Sequence, residues 1–109
     1  MSLAFKVGEA EFEGKTLHCG VLELENAVLA LFWEGTEPKL GSTTATLPGM
    51  ASSQLLGDRD QLLGRMLGTH ISAKSGKMSL VSTHLSQGYS ESIGKKLLDI
   101  TRRTMEEKS

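Results

Sequence analysis

The chain has 109 residues, of which 39% are hydrophobic and 23% charged, and its formal net charge is −1. That length predicts a single domain over residues 1–109 with one core. The near-neutral balance excludes the strongly basic surface of a nucleic-acid binder, and a single cysteine, Cys19, excludes a disulfide framework and points to a reducing compartment.

At the start of the chain, Met1–Val7 lacks the charged start and apolar run of a secretory leader. No stretch reaches the roughly 18 apolar residues of a spanning helix. The expectation is a soluble intracellular protein that does not act at a membrane. Leu3–Phe12 reads as a strand with a change of phase. Leu3, Phe5 and Val7 share one parity and Ala10 and Phe12 the other, with a bulge at Gly8 as the expected cause. Glu9, Glu11 and Glu13 face solvent, and Glu13-Gly14 is a turn. Thr16–Leu24 is a second strand, with Leu17, Cys19 and Val21 on one face and Leu22 and Leu24 on the other. Glu25-Asn26 is a tight turn into a third. Loops this short join antiparallel neighbours, so the first three strands predict a meander.

Ala27–Trp33 is an unbroken run of seven apolar residues, closed by Glu34-Gly35. Val28, Ala30 and Phe32 point to one face of a strand; Leu29, Leu31 and Trp33 point to the other. Such a run predicts a central strand covered on both faces. A buried helix is the competing reading, but the run is short and a glycine follows. Glu34–Pro38 is a loop. Lys39–Leu47, with Thr43, Thr44 and Thr46, reads as a fourth strand with one solvated face. Met50–Gly57 reads as a short extended stretch and a hinge.

Asp58 is positioned to cap the next helix. Leu62, Leu63, Met66, Leu67, His70 and Ile71 follow at helical spacing as its apolar stripe. Gly64 and Gly68 weaken this helix by about 1 kcal/mol each relative to alanine, or else admit another backbone closely. Ser75-Gly76 ends it. Lys77–Leu85 is a fifth strand, with Met78 and Leu80 opposite Val81 and Leu85. Gln87-Gly88 is a break, and Ser90 caps a last helix. Its stripe is Ile93, Leu97, Ile100, Thr104 and Met105, with Lys95, Lys96, Asp99, Arg102 and Arg103 lying away from it. The order β-β-β-β-α-β-α predicts an α+β fold, a mostly antiparallel sheet with two helices packed on it.

The sequence carries no local catalytic or metal-binding motif. Gly76-Lys77 fails as a phosphate loop, since Ile71 stands where that motif needs glycine and Met78 where it needs serine or threonine. Gly64 and Gly68 have the spacing of a membrane-helix dimer motif in a segment too polar for one. His18, His70 and His84 show no local metal spacing and read as structural. His18 and Cys19 are adjacent on a strand and point to opposite faces, so they form no nucleophile–base pair. Cys19 reads as a small buried apolar residue. Ser52-Ser53 lacks the glycines of a nucleophile elbow. No catalytic, cofactor-binding or metal-binding residue is assigned, and a non-enzymatic role is expected.

Charge divides the chain. Residues 1–57 carry three lysines against seven glutamates, while residues 58–109 carry nine basic against six acidic residues. Lys95, Lys96, Arg102 and Arg103, with little neutralisation beyond Asp99, Glu106 and Glu107, are the candidate partner-binding residues.

From Leu29 to about Glu107 the chain resembles the small proteasome assembly chaperones of the third and fourth kinds. Trp33-Glu34-Gly35 resembles their Trp-x-Gly strand end, with Lys39-Leu40 beginning the next strand. Ser53-Gln54-Leu55-Leu56-Gly57 resembles their Ser-x-Leu-Leu-Gly step, which favours the fourth kind. Lys74 then ends a helix before a strand and a long closing helix. The chain departs from the fourth kind in entering its first helix through Asp58-Arg59-Asp60-Gln61 in place of a Ser/Thr/Asp-rich stretch. The resemblance implies a dimer, with itself or a paralogue, that touches an α-type subunit during assembly of the 20S proteasome ring. It implies no cofactor and no catalysis, and a place in cytosol and nucleus. A dimeric α+β scaffold of a trafficking or GTPase-regulating complex is the alternative; many such scaffolds open with a helix, whereas this chain opens with strands.

Overall fold

The computed structural model describes residues 4–57, 61–86 and 90–106. The elements are β1 (Lys6–Phe12), β2 (Lys15–Glu23), β3 (Ala27–Glu34), β4 (Ser42–Thr46), β5 (Ser52–Leu56), α1 (Gln61–Ser75), β6 (Met78–His84) and α2 (Glu91–Glu106). The strands form one sheet in the order β1-β2-β3-β6-β4-β5. Only β3 and β6 pair in parallel; every other neighbouring pair is antiparallel. A parallel pair needs a long crossover, and here it consists of β4, β5 and α1. Both helices lie on one face of the sheet, α2 over β1 and β2 and α1 over β4 and β6. This is the expected α+β fold, with one strand more than the expected order. Ser52–Leu56, read above as a stretch and hinge, pairs with β4 as an edge strand.

The hairpin β1–β2 turns at Glu13 and Gly14, whose φ values of 50° and 79° are those of a tight hairpin turn. The β1–β2 register runs unbroken from Lys6↔Val21 to Phe12↔Lys15. There is therefore no bulge at Gly8, and the phase change has a different cause. Phe5 and Val7 point away from the helices and stay exposed, while Ala10 and Phe12 point towards them. Gly8 is small because α2 lies on it: a Cβ there would collide with Thr104 Oγ1 and sit 3.3 Å from Ile100 Cγ2.

The core gathers Phe12, Leu17, Cys19, Val21, Val28, Ala30, Phe32 and Val81 of the sheet under Leu63, Leu67 and Ile71 of α1 and Ile93, Leu97 and Ile100 of α2. Ser90 caps α2, its Oγ accepting from Ile93 N at 3.2 Å. Asp58 and the Gln87-Gly88 break lie outside the described residues.

The contact of α1 with β4 reverses two sequence expectations. The buried face of α1 is Leu63, Gly64, Leu67, Gly68, Ile71 and Ser72, whereas Leu62 is 52% exposed. The threonines of β4 do not mark a solvated face either. Thr44 and Thr46 are buried beneath the two glycines, where a Cβ would lie 2.5 Å from Thr44 Oγ1 or Thr46 Oγ1. The glycines thus serve close approach, at the cost in helix propensity noted above. A seam of hydroxyls fills this contact. Thr44 Oγ1 donates to Gln54 Oε1 at 2.9 Å, and the Thr46 and Ser52 hydroxyls are 2.7 Å apart. Ser72 Oγ is 3.1 Å from Thr46 O and 3.0 Å from Ser79 Oγ, which donates to Gly68 O. These groups satisfy one another, so their burial is tolerated.

Lys39 and Leu40 precede β4 and are not part of it; Leu40 is 64% exposed. Gly41 is the close point of that passage. Its N donates to Ser82 Oγ at 2.8 Å, and a Cβ on it would collide with the carbonyl of Thr83.

Candidate functional site

The expectation that β3 is covered on both faces is corrected by the structure. Val28, Ala30 and Phe32 lie under the helices, but among the described residues no element covers the other face. The register places Leu22, Leu29 and Leu80 in one row across this open face, and Val7, Gly20, Leu31 and Ser82 in the next. Phe5, Val7, Leu47, Leu55 and Leu56 extend the apolar surface towards both edges, each 43–57% exposed. Phe5, Val7, Gly20, Leu31, Trp33 and Pro38 line an apolar depression of about 210 Å³ on the same face.

A third row runs Glu9, His18, Trp33, His84 across β1, β2, β3 and β6. The His18 imidazole stacks on the Trp33 indole, with centroids 5.3 Å apart and planes within 10°. His18 Nδ1 is 3.9 Å from Glu9 Oε2. Beneath the indole lies Gly20, where a Cβ would be 3.4 Å from both Trp33 Cζ3 and Phe5 Cδ2. Trp33 is therefore only 5% exposed although it belongs to the uncovered face. Its Nε1 is buried with no hydrogen-bond partner among the described residues. Indole N–H groups usually find an acceptor when buried. This concentration on one face was legible in Leu29, Leu31 and Trp33; what the sequence did not show is that both helices choose the opposite side.

Of the four basic residues of α2, Lys95, Arg102 and Arg103 are exposed, whereas Lys96 is half-buried. Arg102 reaches Asp99 at 2.8 Å and Glu106 at 3.4 Å, Arg103 reaches Asp99 at 3.1 Å, and Lys95 reaches Glu91 at 3.5 Å. The Arg102 hydrogen bond, with Arg103 beside it, holds the Asp99 carboxyl below its ordinary pKa. Lys96 makes no ion pair among the described residues. Glu107 lies outside them. Lys74 binds Glu106 at 3.6 Å and ties α1 to this face.

Among the described residues, no three of His, Cys, Asp and Glu converge as metal ligands would. His18 and His84 share one face, while His70 sits on α1, where burial and then Lys74 lower its pKa. Cys19 is fully buried, and burial pushes its thiol up to about 12 against the lowering effect of Thr101 and Thr104. A thiol so placed is almost wholly protonated at neutral pH and inert. Alkylation of Cys19 by iodoacetamide is expected to be negligible in the native protein and rapid in denaturant, which mass spectrometry would resolve; fast native labelling would contradict the burial.

The chain matches no protein-family model, and no curated protein matches it by sequence. In fold it is similar to a chain of a solved yeast complex, described as a novel chaperone complex for 20S proteasome assembly. The TM-score is 0.68 at 17% identity, over 96% of this chain and 99% of that one. No helix among the described residues is long and apolar enough to cross a membrane.

Proposed function

We propose that this protein is a non-enzymatic assembly chaperone which, as a dimer, binds an α-type subunit and helps assembly of the 20S proteasome α ring. The observation that carries the reading is the likeness in fold, nearly end to end, to a chain of a chaperone complex for 20S proteasome assembly. Fold is an associational warrant, so the surfaces must bear it independently. The open sheet face supports the protein-binding part of the reading. Contiguous exposed apolar surface on a soluble chain marks a protein contact. The molecule measures 36 by 31 Å across and 21 Å through. Pairing sheet to sheet thus offers each copy on the order of the ~800 Å² that a stable interface uses. Two sheets stacked in this way bury their inner side chains in a common core. The partner is a second copy or a paralogous chaperone. The proteasome subunit would then meet a surface left outside the pair, in cytosol or nucleus, without nucleic acid, cofactor or membrane.

Sedimentation of the purified chain alone, and of its mixtures with each α-type subunit in turn, tests both halves. A dimer that comigrates with one α-type subunit is the expected result. Leu29→Lys with Leu31→Lys is expected to abolish the dimer, because each places an ammonium on the face to be covered. A chain that stays monomeric, with no paralogue taken up, and binds none of the subunits would overturn the reading.

The outward face of α2 is the proposed contact for the α-type subunit. Lys95, Arg102 and Arg103 hold carboxylates of their own helix in exposed pairs, which are weak and exchangeable. Reversing Lys96 and Arg103 to glutamate is expected to leave folding within about 0.5 kcal/mol. It should slow association with an α-type subunit and flatten its dependence on salt. Stopped-flow measurements at two ionic strengths would show this; an unchanged rate at low salt would remove the face from consideration.

A further inference from the structure

The hairpin of β4 and β5 differs in chemistry from the rest of the chain. From Leu40 to Gly57 the sequence holds no charged residue and no histidine, although 23% of the chain is charged. Its tip, residues 47–51, reads Leu-Pro-Gly-Met-Ala and is exposed throughout, Leu47 at 45% and Met50 at 65%. Turn tips ordinarily carry polar residues beside their glycine and proline, because they meet water. We propose that this tip is an apolar anchor, seating Leu47 and Met50 in an uncharged apolar cleft of the α-type subunit. The proposal rests on the function read above and adds a contact distinct from the basic face of α2.

The turn does not need these side chains for its own shape. Met50 N donates to Leu47 O at 3.0 Å, and Gly49 supplies the positive φ of 69°. Pro48 before it presets the other central residue, the arrangement of a type II turn. The base of the hairpin is tied down as well. The Thr46 and Ser52 hydroxyls are 2.7 Å apart, and Thr46 O accepts from Ser72 Oγ of α1 at 3.1 Å. Two large apolar side chains are thus held out in water on a preset support. A partner that covers them has little chain to order, which favours binding.

Chemistry selects the class of partner. Nucleic acid is held through its phosphates by lysine and arginine, and a charged peptide needs opposite charges to meet. Entry into an anionic lipid surface is assisted by basic residues beside the apolar ones. The hairpin offers no charge for any of these. Its aliphatic surface gains instead by leaving water for an apolar cleft of a protein. The two contacts then divide the kinetics. Charge on α2 acts at a distance and sets the rate of encounter, whereas the tip acts only on contact and sets the rate of escape.

The test is the dissociation rate of the complex with the α-type subunit that comigrates with the full chain. Leu47→Ser with Met50→Ser is compared with Leu40→Ser, a 64% exposed leucine before the other end of β4. The double variant is expected to dissociate about tenfold faster or more. Its association rate should keep its salt dependence, and Leu40→Ser should behave as the parent chain. Denaturation curves establish that both variants are folded. A double variant that dissociates at the parent rate, or an equal effect from Leu40→Ser, overturns the proposal and leaves the function reading intact. A double variant that loses self-association in sedimentation assigns the tip to the open sheet face and overturns it too. So does a parent chain that floats with phosphatidylcholine–phosphatidylserine vesicles when the double variant does not. A parent chain that binds no α-type subunit overturns the function reading and the proposal together.

Discussion

Trp33→Ala is expected to destabilise the fold by roughly 3–5 kcal/mol, the usual range for truncating a buried large aromatic. The indole is 5% exposed, and its burial comes from three neighbours rather than from a helix: His18 stacked on one side, Gly20 beneath it and Phe5 at Gly20. Removing it leaves a void against Gly20, which has no side chain to relax into the space. The same change should weaken association, because Trp33 forms part of the depression that a partner sheet would meet. Phe32→Ala is the matched control. Phe32 is fully buried under the helices, so it should lose comparable stability without touching the open face. Chemical denaturation beside sedimentation separates the two effects. A Trp33 variant of native stability would mean that the indole holds the interface alone.

Gly41→Val should be among the costliest changes outside the core, at about 1–3 kcal/mol and near the upper end. The obstruction is main chain. A Cβ on Gly41 collides with the Thr83 carbonyl and lies 2.9 Å from the Cα of His84. Neither can rotate away, because both belong to β6, which is held between β3 and β4. The passage before β4 would have to lift, breaking the bond from Gly41 N to Ser82 Oγ. Alanine should behave similarly, since the clash begins at the first carbon. A shift of the denaturation midpoint reads the effect; a midpoint equal to that of the parent chain would mean that the segment moves without cost.

Much of this fold was legible because strand parity and helix period are local properties. The meander of the first three strands, the central run Ala27–Trp33, the Ser90 cap and the stripe of α2 follow from residues read a few at a time. The misreadings share one cause. The side of the sheet to which a residue points acquires meaning only when the helices have chosen a side. Phe5 and Val7 imitated a register shift because they belong to the uncovered face. Thr44 and Thr46 read as solvated because only their contact with Gly64 and Gly68, some twenty residues on, makes them interior. Ser52–Leu56 offers no apolar alternation, since its inward side chains Ser52 and Gln54 are polar and bonded to β4. Of the candidate contact residues, the exposure of Lys95, Arg102 and Arg103 was readable from spacing, whereas Lys96 is half-buried. That Arg102 and Arg103 share the single carboxylate of Asp99 was not, because spacing alone allows several partners.

The hydroxyl seam beneath α1 has a dynamic consequence. Under α2 the sheet offers Leu17, Cys19 and Val21 to aliphatic side chains, whereas under α1 it offers much that is hydroxyl and little that is large. Separating hydroxyls from one another lets water take their place, so it costs far less than exposing aliphatic surface. The molecule should therefore breathe unevenly. α1 with β4 and β5 forms the unit that opens first, and its amides should exchange with solvent well before those of β2, β3 and α2. If the protein acts as the assembly chaperone proposed above, a half that yields ahead of the rest would give release of its partner a place to begin.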